Sequence, residues 1–403
     1  MRWGPDSRIV VAGAGIGGLR TAEALRTKGF AGRLTVVGEE THFPYDRPPL
    51  SKQLLTGAIP VSATTLATDV PVEWLLGRRI VELDRERRVL RLDGGDLVPF
   101  DALVIATGAR ARDHPGAVPH PGLFTVRRLE DSVRLAALLR RPGLRVAVVG
   151  GGVLANEVAA AARTTGASTT LIDRGGSPLR RLGPEAGAFV ARAHRLSGVH
   201  LMFGTAVTSM RAARSGGTTV RTDNPQVPAV DVDAVVIAIG GRPNTEWARS
   251  AGLAAAPAGE LLTDHFLRAT DRAGIPQTDI VVVGDAGARP HPVTPGAFLA
   301  EPHWSNAVRQ ADTAAETLLG GPVFPHRALP SFWSDVHDLK LRVIGLPGLA
   351  DTRTVVESDA TARRLVVRYT RDGAPVALLT INRTSRLAHH RPEIAATLNA
   401  DSP

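Results

Sequence analysis

The sequence predicts an α/β protein with two similar domains, each built on a largely parallel sheet, followed by a smaller C-terminal α/β domain. The first of three observations is the length, because 403 residues exceed the roughly 100–200 residues of one ordinary domain. The second is an internal repeat of strand, glycine turn, helix, strand and acidic residue. The third is a later apolar strand, DIVVVGD at residues 279–285, which follows the second copy.

The internal repeat is the strongest signal. The first copy runs from an apolar strand at residues 9–12 through GAGIGG to a second strand that is followed by Glu39. The second copy runs from a strand at residues 145–149 through GGGVLA to a strand that ends at Asp173. Two copies in register are much stronger evidence than one glycine motif, so we expect two Rossmann-like units that each bind a dinucleotide. Two such units without a nucleotide are the alternative.

Each residue of the repeated motif has a physical role. The first glycine permits a tight turn, the second lets the backbone approach a pyrophosphate, and the third position keeps the helix close to the strand. The pyrophosphate lies at the positive end of the helix, and the acid binds an adenosine ribose. These roles fall to Gly13, Gly15, Gly18 and Glu39 in the first copy, and to Gly150, Gly152, Ala155 and Asp173 in the second.

Three further strands end in glycine turns. The runs ALVIATG at residues 102–108 and AVVIAIG at residues 234–240 close the two copies, where the chain can cross between domains. The strand at residues 279–285 implies that the chain then returns to the first domain. There Asp285 could bind the hydroxyls of a ribityl chain; a helix-capping aspartate is the alternative.

The composition restricts the chemistry. The chain contains no cysteine, which excludes a redox-active dithiol, a cysteine sulfenate and an iron–sulfur cluster bound by this chain. Redox chemistry must therefore belong to an organic cofactor. No apolar run approaches the ~18–20 residues of a membrane span, and the first residues lack the pattern of a signal peptide, so we expect a cytoplasmic protein without a membrane partner.

The charge is positive but dispersed. The net charge is +9, and the chain has lysine only at Lys28, Lys52 and Lys340, so the positive residues are almost all arginines spread along the chain. This pattern does not predict nucleic-acid binding, because no basic stripe or nucleic-acid motif accompanies it. A basic surface that attracts an acidic protein partner fits better. No His, Asp and Glu spacing resembles a metal site.

Nearly end to end, the chain resembles the oxygenase-coupled NAD(P)H-dependent ferredoxin reductases. The most specific shared segment is PYDRPPLSK at residues 44–52. From pattern alone this segment would be a proline-bearing loop with Ser51 as a possible helix cap. The other shared motifs are ATG at 106–108, RPN at 242–244, GD at 284–285, WSNA at 304–307, and FWSD at 332–335 followed by LKL at 339–341.

The resemblance implies a domain order and two cofactors. It implies a discontinuous FAD-binding domain over residues 1–110 and 241–323, an inserted NAD(H)-binding domain over 111–240, and a C-terminal α/β domain over 324–403. Gly320, Gly321, Pro322 and Pro325 set the last boundary. FAD would occupy the first unit, and NADH the second, with NADPH as the alternative.

The resemblance also implies roles for individual residues. Arg47 and Lys52 would bind the flavin cofactor, with Lys52 paired to Glu157; a solvated helix face is the alternative for Glu157. The helix from Trp304 would direct its N-terminal amides at the flavin, and Trp333 would lie near the isoalloxazine or else be a core aromatic. Lys52, Glu157 and Trp333 are the expected catalytic residues. The remaining expected cofactor contacts are Ala106, Thr107, Gly108, Arg174 and Gly240.

The chain departs from the family pattern at two places. Pro302 occupies a position next to the tryptophan motif where the family usually has glutamate, so we expect Glu301 to be displaced. Val336 and His337 replace the glutamine and tyrosine that often follow FWSD, which should reduce the aromatic surface. His303 and His337 are expected to be packing or surface residues, since hydride transfer needs no general base.

The implied activity is transfer of electrons from NADH through FAD to a [2Fe-2S] or similar ferredoxin, which would supply a cytochrome monooxygenase or a Rieske dioxygenase. Asp173 favours NADH because a carboxylate binds the 2′-hydroxyl and repels a 2′-phosphate, whereas Arg174 could pair with the phosphate of NADPH. The alternatives are a redox sensor of the apoptosis-inducing-factor type and an NADH oxidase with slow oxygen reduction. Monomer and homodimer both remain open.

Overall fold

The structure is a computed structural model that describes residues 2–214, 216–321 and 324–399. These residues form an α/β fold with two largely parallel sheets and an antiparallel sheet near the C-terminal end, which confirms the predicted fold class. Pro322, one of the residues that set the expected last boundary, lies outside the described residues, as does Val323.

The first unit folds on a largely parallel sheet. The strand Pro276–Val282 pairs in parallel with Ala102–Ile105, so the chain returns to this sheet after the second unit. Across the sheet the strands follow the order Arg268–Thr270, Pro276–Val282, Ala102–Ile105, Arg8–Ala12, Arg33–Gly38 and Glu73–Leu76.

The strand Arg8–Ala12 shows why this sheet is apolar on both faces. Side chains alternate between the two faces of a strand. Ile9 therefore packs against the helices Ile16–Thr27 and Trp304–Leu319. Val10, on the other face, packs against an antiparallel sheet. That sheet consists of Ile80–Asp84, Val89–Leu92 and Leu97–Pro99.

The second unit repeats the arrangement. Its strands follow the order His200–Phe203, Ser168–Asp173, Arg145–Val149, Ala234–Ile237 and Leu123–Phe124. Its helices are Leu129–Leu139, Val153–Thr164 and Pro184–Leu196. A smaller antiparallel sheet of Val207–Ala212, Thr218–Thr222 and Ala229–Val232 shares a core with it.

The C-terminal part is an antiparallel sheet with one helix, Ser385–Asn399, packed on it. Its strands follow the order Ser331–Val336, Leu339–Gly345, Ala374–Ile381, Arg364–Arg371 and Thr352–Asp359. The core of this sheet also includes Ala186 and Val190 of the helix Pro184–Leu196, so the C-terminal sheet rests on the second unit.

Short elements connect these bodies. Strands Ala109–Ala111 and Gly241–Pro243 pair where the chain passes between the two units. The others are helices Gln53–Thr56 and Glu246–Ser250, 3-10 turns Pro48–Ser51, Val61–Thr64, Arg180–Leu182, Gly284–Ala286 and Pro347–Leu349, and strands Leu261–Leu262, Gly287–Pro290 and Phe298–Ala300. No helix within the described ranges has the length and apolar character that crossing a membrane requires.

Two buried histidines are held in the neutral form. Burial lowers the pKa of His194 to about 3, with a contribution from His337. Burial and the charges of Arg289 and Arg309 lower the pKa of His326 to about 3 as well. Histidine in an unfolded chain has a pKa of about 6.5. The unfolded chain therefore binds more protons below that pH, and these histidines reduce stability as the pH falls from about 6.5 towards 3.

We predict that His326→Gln makes the protein less sensitive to acid. At pH 5 one such histidine costs about 2 kcal/mol of stability relative to neutral pH. Gln cannot be protonated and can keep the hydrogen bond that His326 Nδ1 shares with Thr313 Oγ1 at 3.1 Å. The apparent melting temperature should therefore fall less between pH 7.5 and pH 5 in His326→Gln than in the wild type. The exposed His389→Gln is the control, and an equal fall in all three proteins would contradict the prediction.

Candidate active site

Glycines shape the first strand-to-helix turn. Helix Ile16–Thr27 begins after Gly15. Gly13 has a φ of 120°, and a Cβ at that position would collide with the carbonyl oxygen of Ala106. A Cβ at Gly18 would collide with the carbonyl oxygen of Gly13, so only glycine lets the helix lie this close to the turn. A Cβ at Gly15 would meet no atom within 4 Å, because this residue borders an open cavity.

The cavity beside this turn has a volume of about 1110 Å³. Small-molecule sites usually measure about 300–1,000 Å³, so this one is large enough for an extended ligand. Both units and the C-terminal sheet contribute to its walls. The predicted residues that line it are Gly13, Gly15, Glu39, Arg47, Lys52, Ala106, Thr107, Gly108, Glu157, Asp285, Trp304 and Trp333.

Arg47 is held in place by a second acid rather than by Glu39. Its guanidinium pairs with Glu40 at 2.6 Å and donates to the Tyr45 hydroxyl at 3.0 Å. Burial raises the pKa of the Glu40 carboxyl, but the charge of Arg47 and hydrogen bonds from Tyr45 and Arg47 outweigh it, so this pKa lies below its usual range. Arg47 is therefore fixed beside an ionised carboxylate at the cavity wall.

Two more arginines pair with the predicted acids of the first unit. Arg128 contacts Glu39 at 2.8 Å, and Arg127 contacts Asp285 at 2.9 Å. Arg127 and Arg128 immediately precede helix Leu129–Leu139 and both line the cavity. Glu39 and Asp285 thus each balance a cationic neighbour.

Lys52 and Glu157 meet as an ion pair between the two units. Lys52 Nζ lies 3.1 Å from Glu157 Oε2, and both side chains are largely buried, with 13% and 6% of their surface exposed. Ser51 donates to the same oxygen at 2.5 Å. Ser334, from the C-terminal sheet, donates to Glu157 Oε1 at 2.7 Å. Glu157 is therefore not a solvated helix residue, and its carboxylate joins segments from three parts of the chain.

Aromatic side chains form another wall of the cavity. Trp333 contacts Trp304 edge to face, with ring centroids 5.7 Å apart, and remains 36% exposed. Trp304 is the first residue of helix Trp304–Leu319, so the positive end of that helix faces the cavity. His303 stacks on Phe332 with centroids 4.6 Å apart, and burial lowers the pKa of His303. His303 therefore packs as a neutral ring.

Pro302 lines the cavity, and Glu301 does not. The Glu301 carboxylate pairs with the buried Arg289 at 2.8 Å, and burial raises its pKa above the usual range despite that charge. Glu301 is thus engaged in a buried ion pair and is not part of the cavity wall.

The remaining predicted residues surround the second glycine turn. Gly150 has a φ of 130°, and a Cβ there would collide with the carbonyl oxygen of Ala238. Gly152 precedes helix Val153–Thr164 and has open space where a Cβ would lie, whereas Ala155 is fully buried in that helix. This turn has the same form as the first turn.

The acid of the second unit lies beside its glycine turn. Asp173 Oδ1 accepts a hydrogen bond from the Gly175 amide at 2.7 Å, and the carboxylate borders Gly151. Arg174 is exposed next to Asp173, and Gly240 is exposed after the end of strand Ala234–Ile237. None of these residues lines the large cavity, so the structure separates the predicted residues into two groups.

Sequence reasoning gave no role to Glu40, Arg127, Arg128 or Ser334. Glu40 directly follows the predicted Glu39, and only the structure shows that it is the partner of Arg47. Ser334 lies within the FWSD motif, which was the one signal for it. Ser51, a possible helix cap by pattern, instead donates to Glu157.

The cavity fits a flavin dinucleotide. The open space at Gly15 lies at the N-terminus of a helix, where backbone amides bind a pyrophosphate. The N-terminus of helix Trp304–Leu319 and the Lys52 ammonium supply positive potential elsewhere on its wall. These features match an extended, anionic cofactor that gains negative charge when it is reduced.

Comparison with known proteins agrees with this geometry. The family model described as pyridine nucleotide-disulphide oxidoreductase matches residues 7–311, and a reductase C-terminal model matches residues 331–403. Among solved structures, a chain of the covalent putidaredoxin reductase–putidaredoxin complex superposes with a TM-score of 0.90 at 27% identity, covering 97% of this chain and 94% of that one.

Two curated relatives are similar over most of their length. The ferredoxin–NAD(+) reductase component of the anthranilate 1,2-dioxygenase system of Burkholderia cepacia is 36% identical over 399 residues, which covers 96% of this chain and 94% of the relative. The corresponding component of the p-cumate 2,3-dioxygenase system of Pseudomonas putida is 35% identical over 361 residues, with coverages of 88% and 84%. The chain therefore belongs to the pyridine nucleotide-disulphide oxidoreductases and, within them, to the FAD-dependent ferredoxin reductases of oxygenase systems, as its motifs predicted.

Proposed function

We propose that this protein transfers electrons from NADH through FAD to an acidic iron–sulfur ferredoxin, which then supplies a cytochrome monooxygenase or a Rieske dioxygenase. The observation that carries the proposal is the buried Lys52–Glu157 pair in a cavity that extends from the first glycine turn to Trp333. When bound, FAD accepts a hydride from NADH and releases the two electrons one at a time.

The first unit holds the flavin cofactor in this proposal. The amides after Gly13 and Gly15 bind its pyrophosphate, and Glu39 and Asp285 bind its hydroxyl groups. Ala106, Thr107 and Gly108 border it from the neighbouring strand end. The cavity-facing cations Arg128 and Arg127 pair with Glu39 and Asp285, respectively, and orient their carboxylates.

Lys52 places a positive charge where the reduced flavin becomes negative. Such preorganised charge is more effective in a water-poor site than in bulk water. The N-terminus of helix Trp304–Leu319 adds to the same potential. Glu157 orients the ammonium, while Ser51 and Ser334 orient Glu157.

The second unit binds the nicotinamide dinucleotide. Helix Val153–Thr164 starts at its glycine turn and carries Glu157 into the wall of the flavin cavity. The two nucleotide sites are therefore joined by one helix, which suits direct transfer between the two cofactors.

The electrons leave through an external carrier. The chain has no cysteine, so it offers no thiol that could accept electrons after the flavin. Trp333 is partly exposed at the cavity and makes this edge accessible to a partner. The net charge of +9 favours a partner with an acidic surface.

We predict that the purified protein shows a flavin spectrum, is bleached by NADH without oxygen, and then reduces a [2Fe-2S] ferredoxin. The kcat/KM for an acidic ferredoxin should fall as ionic strength rises from about 0.05 to 0.3 M, because salt screens the attraction. A colourless protein that cannot be reconstituted with FAD would overturn the proposal. Reduction by NADH without electron transfer to any ferredoxin would point to the sensor class instead.

We predict that Ser334→Ala lowers the stability of the protein and slows flavin reduction, but that the variant still binds the flavin. Loss of a hydrogen bond to a charged group costs roughly 1.5–3 kcal/mol, and here it leaves Glu157 Oε1 without its donor. The apparent melting temperature and the rate of flavin reduction by NADH should both fall. Ser358→Ala, at an exposed position of the same sheet, is the matched control. Equal reduction rates in the two variants would contradict the role given to Ser334.

We predict a higher kcat/KM for NADH than for NADPH, and a smaller ratio between them in Asp173→Asn. The neutral amide still binds a hydroxyl but no longer repels a 2′-phosphate, and the exposed Arg174 then favours the phosphate. Steady-state kinetics with both nucleotides measures the ratio. Asp231→Asn, an exposed substitution in the same unit, should leave it unchanged. A wild type that uses NADPH equally well would refute the assignment of Asp173.

A further inference from the structure

A buried chain of hydrogen bonds links the second glycine turn to the C-terminal sheet. Asn156 Nδ2 donates to the carbonyl oxygens of Gly151 at 3.1 Å and Gly152 at 2.7 Å. Asn156 Oδ1 lies 3.0 Å from His194 Nε2. His194 Nδ1 in turn lies 3.0 Å from His337 Nε2.

Only one arrangement of protons satisfies the chain while both rings are neutral. The glycine carbonyl oxygens can only accept, so the amide nitrogen of Asn156 must face them and its oxygen must face His194. His194 Nε2 therefore donates, and its Nδ1 accepts from His337 Nε2. The hydrogen-bonding roles of Asn156, His194 and His337 are thus coupled, because each fixes the role of the next.

The residues of the hydrogen-bond chain occupy positions that would be energetically costly for them without these hydrogen bonds. Asn156 and His194 are both 0% exposed, and a buried polar group without a partner is costly. His337 adopts a φ of 53° in the loop between strands Ser331–Val336 and Leu339–Gly345, a conformation that glycine adopts more easily.

The hydrogen-bond chain controls the direction in which the second glycine turn points its backbone amides. In a trans peptide the carbonyl oxygen and the following N–H point in opposite directions. Asn156 holds the carbonyls of Gly151 and Gly152, so the amides of Gly152 and Val153 are directed away from it. These amides belong to the free N-terminus of helix Val153–Thr164, which has no side-chain cap.

We propose that Asn156, His194 and His337 are positioning residues for the nicotinamide dinucleotide, and that through them the C-terminal sheet sets the affinity of the second glycine turn. The inference rests on the proposed function, because it assumes that this turn binds the pyrophosphate of NADH. It also gives a role to His337, where the chain departs from the pattern of the family it resembles.

The test is the variant His337→Gly in the FAD-loaded, full-length protein. Glycine suits the backbone of residue 337, so the loop keeps its conformation and the protein loses the imidazole. We expect the Kd for NAD+, measured by calorimetry, to rise about fivefold, the effect of one net hydrogen bond. Amide hydrogen exchange in peptides covering residues 150–156 should accelerate, whereas peptides covering residues 13–19 should be unaffected.

Two further variants test the connection itself. Asp372→Gly also introduces glycine at a left-handed position, with a φ of 50°, in another loop of the same sheet, and should alter neither measurement. In an Asn156→Ala background, His337→Gly should have little further effect on the Kd, because the loss of Asn156 already interrupts the hydrogen-bond chain. Additive effects of the two substitutions would overturn the inference.

The outcomes separate the inference from the proposed function. A wild type that does not bind NAD+ overturns the proposed nucleotide site and the inference with it. A wild type that binds NAD+, together with an unchanged Kd in His337→Gly, overturns the inference alone. Faster amide hydrogen exchange without a change in Kd also overturns the inference. The hydrogen-bond chain would then stabilise the turn without positioning the ligand.

Discussion

The pairing of Lys52 with Glu157 is the interaction on which the arrangement of the site depends. Lys52 comes from the first unit, Glu157 from the second, and the Ser334 hydroxyl from the C-terminal sheet. A buried ion pair contributes little net stability unless its remaining polar atoms are satisfied. Ser51 and Ser334 satisfy both Glu157 oxygens, so the three bodies must come together before the pair is favourable.

The same principle explains the charges around the first glycine turn. Arg47, Arg127 and Arg128 would repel one another if they lined the cavity without partners. Glu40, Asp285 and Glu39, respectively, pair with them. The wall is therefore close to electrically balanced, and two helix N-termini on it provide directed positive potential.

Local sequence patterns predicted the fold and the glycine turns, because one strand–turn–helix segment carries its own steric requirements. Gly13 and Gly150 each need a positive φ and close approach to a neighbouring strand, and such needs are visible in sequence. The partners of the acids were not predictable in this way. Asp285 finds Arg127 across 158 residues of chain, and Glu157 finds Ser334 across 177, so only the tertiary fold selects them.

The C-terminal sheet is hydrogen-bonded, directly or through His194, to two adjacent residues of helix Val153–Thr164. Glu157 and Asn156 are adjacent in helix Val153–Thr164, and they connect respectively to Ser334 and, through His194, to His337. Ser334 and His337 belong to one strand and the loop that follows it. A movement of that segment would therefore disturb both the carboxylate that pairs with Lys52 and the second glycine turn. A partner docked near Trp333, in the same strand, would act on the segment that is hydrogen-bonded to both.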